Sequence, residues 1–164
     1  MRKKIFGADN PDTLLSMANL AGTYSNQGKW NEAEQVEVQV LDMRKKILGA
    51  KHPDTLLSTA NLARTYSNKG KFNEGEQLEV LVLNMRKKIL GTEHPHTLLS
   101  MANLATTYVN EGKWNEAELL EVQVLDMRKK VLGAEHPDTL LSMANPAFTY
   151  LKNGKLNLAE QLKV

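Results

Sequence analysis

Three histidines, His52, His94 and His136, fall 42 residues apart, and each is followed by a proline. Histidine is a common metal ligand, so a metal site is the first chemistry to weigh. Zinc needs its nitrogens at ~2.0–2.1 Å, whereas packed helices stand ~8–10 Å apart. Equivalent histidines of successive copies therefore cannot share one ion. His94 and His96 are close in sequence, but two ligands without a third make a weak site. Acids recur in the same rhythm, at Glu37, Glu79 and Glu121. Identical acids spaced by one unit read as structural rather than catalytic. A carboxylate beside an apolar stripe needs a partner, and a lysine or arginine of a neighbouring helix is the expected one. Gly28-Lys29 invites comparison with a phosphate loop, but no GxxxxGK[ST] is present and Trp30 follows the lysine. No nucleophile, base and orienting acid form a set. The chain is expected to have no enzymatic activity, no metal and no cofactor.

Those residues recur because the whole chain does. Met1, Met43, Met85 and Met127 each open a near-copy of one segment. The copies starting at Met43 and Met85 agree in 30 of their 42 columns. Self-similarity at a period of roughly 20–50 residues signals a solenoid, in which each unit buries its apolar face against its neighbours. The length of 164 residues is three periods and 38 further residues. We expect one array: the end of a helix over residues 1–6, then repeats at about 12–48, 54–90, 96–132 and 138–164, the last truncated. Neither terminal unit has the polar outer face of a cap. The chain therefore reads as a fragment of a longer array, with sticky or frayed ends around Ile5 and Phe6 and around Leu158, Ala159 and Leu162.

Each repeat carries two helical patterns. Helix A runs from about Asp12 to Asn26 and places Leu14, Met17, Leu20, Ala21 and Tyr24 on one side, its packing face. The tyrosine column is expected to be buried. Gly28 stops the helix by adopting the left-handed conformation. Helix B runs from about Trp30 to Ile47, with Ala33, Val36, Val40, Met43 and Ile47 as its apolar stripe. Arg44-Lys45-Lys46 and its copies lie at the end of helix B, where cations complement the macrodipole. Pro53 restarts helix A at a position whose missing N–H costs nothing; either His52 or Asp54 caps that start. Pro146 interrupts the fourth helix A, where the other copies have Leu20, Leu62 and Leu104, and is expected to kink it. Nothing reads as a strand. The fold class is all-α, an α-solenoid of stacked antiparallel helix pairs.

Composition narrows the partners. The net charge is +2, which makes no case for nucleic acid or a membrane surface. No apolar run reaches the ~20 residues that span a bilayer. Cysteine is absent, so disulfides and thiolate chemistry are excluded. A cytoplasmic location is expected.

The phrases NLAxxYxxxGKxxEAExL and RxxxLGxxHPDTL resemble tetratricopeptide repeats of the kinesin-light-chain type, lengthened from ~34 residues. The wording EAEQVEVQVLDMRKKILGAxHPDTLLSMANLA is similar to arrays at the C-termini of fungal NOD-like receptors. The resemblance implies a right-handed superhelix with helix A lining a concave groove. It also implies that the column Asn19, Asn61, Asn103 and Asn145 grips the backbone of a bound peptide. A primary amide suits that work because it both donates and accepts.

The same face of helix A carries Leu15, Asn19, Gly22 and Asn26. Its later copies are Leu57, Asn61, Arg64 and Asn68; Leu99, Asn103, Thr106 and Asn110; and Leu141, Asn145, Phe148 and Lys152. The column Gly22, Arg64, Thr106, Phe148 changes in every copy while its surroundings hardly change. Every unit solves the same packing problem, so a column free to differ is either unconstrained surface or the surface that sets specificity. The expected function is a scaffold for a protein or peptide ligand, the sensing part of a larger receptor. The alternative is a self-assembly module stacking through its ends, or an engineered consensus scaffold.

Overall fold

The computed structural model describes residues 10–161, with side chains to Leu158. Among the described residues there are eight helices and no strand. They are α1 (Pro11–Asn26), α2 (Trp30–Leu48), α3 (Pro53–Asn68), α4 (Phe72–Leu90), α5 (Pro95–Asn110), α6 (Trp114–Leu132), α7 (Pro137–Lys152) and α8 (Leu156–Gln161). Odd-numbered helices are the A helices and even-numbered ones the B helices. The fold is an α-solenoid of helix pairs. The chain divides into two compact units, Met1–Val82 and Leu83–Val164. In the first, α2 packs on α1 and on α3; in the second, α6 packs on α5 and α7, and α7 on α8.

Each A helix begins on a proline and is capped by the residue before it. The His52, His94 and His136 side chains accept, through Nδ1, the backbone N–H of the residue two further on, at 3.2, 3.1 and 3.1 Å. Asn10 does the same for α1 with Oδ1, at 2.9 Å. The choice the sequence left open between His52 and Asp54 therefore falls on His52. Each A helix ends in a Schellman turn. Lys29 N–H donates to the Tyr24 carbonyl at 2.9 Å and Gly28 N–H to that of Ser25 at 3.0 Å. Gly28 sits at φ 71°, the left-handed region the motif requires. The Lys29, Lys71 and Lys113 ammonium groups then lie 5.9, 5.1 and 5.5 Å from the ring centres of Tyr24, Tyr66 and Tyr108. The recurrent tyrosine and Gly-Lys pair is thus one local device. These tyrosines, and Tyr150, are half-buried rather than buried.

The interior is more polar than the periodicity implies. Helix B buries Ala33, Glu37, Val40, Leu41 and Arg44. Ile47, expected in its apolar stripe, is 45% exposed, since the buried side is rotated to take in Glu37 and Arg44. On the A helices Leu62 and Leu104 are buried, whereas Leu20 is 43% exposed. Pro146 is fully buried at the same column, and α7 runs on through it to Lys152. The final B helix is described over Leu156–Gln161; the remainder of the roughly nine residues expected lies outside the described residues. Leu158 is exposed there; Ile5, Phe6 and Leu162 lie outside the described residues.

The basic triplets divide their labour. Lys45 and Lys46 stand in the last turn of α2, where they complement the macrodipole as expected. Arg44 instead turns inward and is buried. Its guanidinium donates to the Asp54 carbonyl at 3.0 Å and to Ser58 Oγ at 2.7 Å. Arg86 does the same to the His96 carbonyl at 3.1 Å and Ser100 Oγ at 2.8 Å. Arg128 repeats it with the Asp138 carbonyl and Ser142.

Two outcomes follow for urea-unfolding measurements. Arg86→Ala should cost about 3 kcal/mol, since it removes two charge-assisted hydrogen bonds and strands their acceptors. Ser100→Ala, which keeps the bond to the carbonyl, should cost only about 1 kcal/mol. Equal costs would show that the arginine acts through packing alone. Tyr66→Ala should cost about 2 kcal/mol, below the 3–5 kcal/mol typical of a fully buried aromatic.

Candidate functional site

The expected ligand face is built on the A helices, whose other sides are occupied by packing. In α3 the buried positions are Thr55, Leu56, Ser58, Thr59, Leu62, Ala63 and Thr65. That leaves Leu57, Arg64 and Asn68 exposed and Asn61 half-buried. In α5, Leu99, Asn103, Thr106 and Asn110 are all exposed. In α1 the corresponding Asn19 and Asn26 are exposed, and in α7 so are Asn145 and Phe148. Each A helix therefore presents its own set of these residues on the side away from its buried contacts. Phe148 is 48% exposed, and its ring has the Lys152 ammonium 5.5 Å from its centre. Thr106 turns its hydroxyl back to the Ala102 carbonyl at 3.0 Å, which leaves its methyl for any partner.

Behind this face stand the recurrent glutamates. Glu37 and Glu121 are each only 6% exposed. Burial raises the pKa of both, because desolvation disfavours the charged form. The Thr65 hydroxyl of the next A helix opposes the rise at Glu37, and the Arg64 charge pulls the same way more weakly. Thr149 opposes it at Glu121. The group that most opposes the rise is thus a threonine hydroxyl of the next A helix, where a lysine or arginine was expected. The reason is steric: the position facing the glutamate is fully buried, which leaves no room for a long cationic side chain. Nothing in the repeated glutamate singles out threonine, although Thr23, Thr65, Thr107 and Thr149 do form an equally regular column. One turn away from Glu37, Glu34 ion-pairs with Lys69 and with Lys71. The hydrogen bond from Lys69 leads in holding its carboxyl below the usual range. Glu118 takes Lys155 at 2.7 Å in the second unit.

Two small clefts open beside the buried acids. One is lined by Ala18, Glu37, Val40, Ser58 and Asn61. The other is lined by Ala102, Glu121, Val124, Arg128, Ser142 and Asn145. They occupy equivalent places, each between two successive A helices and the B helix that separates them. Among the described residues no group of three or more metal-ligating side chains could hold an ion, and no helix is long and apolar enough to cross a membrane.

A family model described as tetratricopeptide repeat matches residues 13–54, 55–96 and 97–138. The chain belongs to the tetratricopeptide repeat family. It is similar to a solved structure of the nearly identical TPR-like repeats of a kinesin-light-chain-like protein from Podosopora anserina. The identity is 34%, the match covers 98% of this chain and 76% of the other, and the TM-score is 0.84; a Q17M form of that protein gives 0.86. BtubC (BKLC) from P. vanneervenii shares the fold at 18% identity, with a TM-score of 0.85 over 94% of this chain and 62% of the other. The apo form of RapI shares it at 11% identity, with a TM-score of 0.77 over 91% of this chain and 52% of that one. No curated protein sequence matches the chain. Tetratricopeptide repeats generally act as non-catalytic scaffolds for protein interactions.

The raised glutamates give a pH test. An acid whose folded pKa lies above its unfolded value stabilises the fold relative to its charged form at low pH. That advantage is complete below the ordinary glutamate range and is lost as pH rises through the folded pKa. Stability from urea unfolding should therefore fall as pH climbs from about 4.5. The fall should be smaller in Glu37→Gln with Glu121→Gln, which cannot ionise. An unchanged profile in the double variant would mean that these carboxyls titrate normally.

Proposed function

We propose that this scaffold binds an extended peptide or protein segment along the exposed face of its A helices, as the sensing part of a larger receptor. The observation that carries the reading is the pairing of two kinds of column on that face. The asparagine column Asn19, Asn61, Asn103, Asn145 is invariant, is exposed or half-buried, and offers a donor and an acceptor at each repeat. The column Gly22, Arg64, Thr106, Phe148 differs at every repeat. An invariant amide suits a feature that every peptide shares, its backbone. A changing side chain suits a feature that distinguishes peptides. Leu57 and Leu99 add exposed apolar contact beside them, and Asn26, Asn68 and Asn110 extend the polar edge. The resemblance of the repeat wording to fungal NOD-like receptor arrays supports the receptor assignment, and the absence of cysteine is compatible with a cytoplasmic setting.

The test is a peptide-array screen of the wild type and two variants. Asn61→Ala with Asn103→Ala should weaken all bound peptides alike, by about 1 kcal/mol per lost hydrogen bond. Arg64→Thr should instead reorder them, with acidic peptides losing most, because a guanidinium holds a carboxylate bidentately. Neither variant removes a buried apolar group, so both should fold. If Arg64→Thr keeps the ranking while the asparagine variant loses stability, the asparagines are structural and the reading fails. Light scattering checks the alternative of self-assembly, which requires mass to rise with concentration.

A further inference from the structure

The two clefts beside Glu37 and Glu121 are built alike, and each contains an acceptor that nothing satisfies. Glu37 Oε2 and Glu121 Oε2 are buried and have no hydrogen-bond partner. A buried polar atom left unpaired is rare and costly. Each of these glutamates is more than nine-tenths buried and lines a cleft, with about 10 Å³ of free space at Glu37 and about 20 Å³ at Glu121. That is room for the centre of a single water-sized group. An asparagine of the helix-A face shares each cleft, half-buried Asn61 in one and exposed Asn145 in the other. The cleft is therefore reached from that face.

The lining also sets the charge of what can enter. Arg128 forms part of the wall at Glu121. At Glu37, Ser58 lines the cleft and receives a hydrogen bond from the Arg44 guanidinium. A ligand ammonium entering either cleft would meet these guanidinium groups as well as the carboxylate. An uncharged donor meets no such opposition. A methyl or a carbonyl would leave the carboxylate oxygen unpaired.

We propose that each cleft is a subsite for a primary carboxamide, the side chain of an asparagine or glutamine in a bound extended peptide. The amide NH₂ donates to the buried glutamate oxygen. The amide carbonyl remains at the mouth, where the NH₂ of Asn61 or Asn145 donates to it. Water fills the cleft when no ligand is bound. The inference rests on the helix-A face being the ligand face, and it adds a residue preference to that reading.

Two measurements separate the claims. The first titrates acetamide into the protein and follows the side-chain carboxyl carbons of Glu37 and Glu121 by NMR. Saturable shifts at both are expected, and Asn61→Ala with Asn145→Ala should abolish them. The second screens an array of extended peptides carrying glutamine, asparagine, lysine, glutamate or alanine at each position in turn. The wild type should favour glutamine or asparagine over alanine by about tenfold at the preferred positions, the worth of one hydrogen bond to a charged acceptor. Glu37→Met with Glu121→Met should abolish that preference while peptides still bind. These substitutions replace a buried acid, one of whose oxygens has no partner, by an apolar chain of similar length, so the fold should hold. Shifts with acetamide but no binding of any peptide would sustain the subsite and overturn the peptide reading. Peptide binding with no carboxamide preference, or with a preference that survives the methionine substitutions, would overturn the subsite. So would silence towards acetamide, which would leave water as the only occupant.

Discussion

Each helix B is tied to the start of the next helix A by one guanidinium. Arg44, Arg86 and Arg128 reach across the linker and donate to a backbone carbonyl and a serine hydroxyl in the first turns of α3, α5 and α7. The carbonyl belongs to the residue just after the helix-opening proline. Because it is a backbone group, its side chain is free to change, and Asp54, His96 and Asp138 all serve. The serine one turn later cannot change, and Ser58, Ser100 and Ser142 are identical. A lysine could not substitute for the arginine, since its compact ammonium lacks the rigid planar fork and sheds its charge more readily when buried. Burial does lower the Arg86 pKa from its ordinary value, but a guanidinium starts so high that it stays charged. With this tie in place, the angle between one B helix and the following A helix is fixed, and so is the side of helix A that remains exposed.

The arginine tie and the glutamate–threonine contact together make the inter-helix surfaces polar at regular intervals. Glu37, Arg44, Thr55, Ser58, Thr59 and Thr65 are all buried, among small apolar groups such as Ala33 and Ala63. Such a surface gains less from burial than a purely apolar one. What it gains is register. A helix that slid by one residue would lose its serine, threonine and carbonyl partners at once, whereas alanine and valine would tolerate the shift. Near-identical repeats need that discrimination, because apolar contacts alone would let a repeat pair equally well in several registers.

The existence and ends of the helices were legible in the sequence, because they depend on local chemistry. Gly28 and Pro53 punctuate the chain through backbone geometry alone, and the structure places the stops and starts beside them. The direction in which helix B buries its surface was not legible. A count of apolar positions cannot rank Glu37 and Arg44 above Ile47, because their burial is decided by partners 10 to 28 residues away in the next helix. The histidine column shows the same limit. Its spacing excludes a shared metal, but its part as an N-cap depends on a neutral Nδ1 facing a backbone N–H, which becomes visible only with the turn in place. The exposed columns of the A helices are legible as columns. What they hold is a matter of the ligand, which neither spacing nor backbone geometry specifies.

The variable column brings these strands together. A Cβ added at Gly22 would meet no heavy atom within 4 Å, so the position carries no packing demand in the first unit. That freedom explains how glycine, arginine, threonine and phenylalanine can occupy equivalent places in one architecture. It does not explain why an exposed position should carry Phe148, whose ring gains little from burial where it stands and is shielded mainly by Lys152. Nor is Arg64 inert, since its charge bears on Glu37 behind it. Substitution of Arg64 therefore alters the exposed surface and also the charge near the buried Glu37. The helix-A face and the polar interior meet at that point, where burial raises the Glu37 pKa and the Arg64 charge opposes the rise.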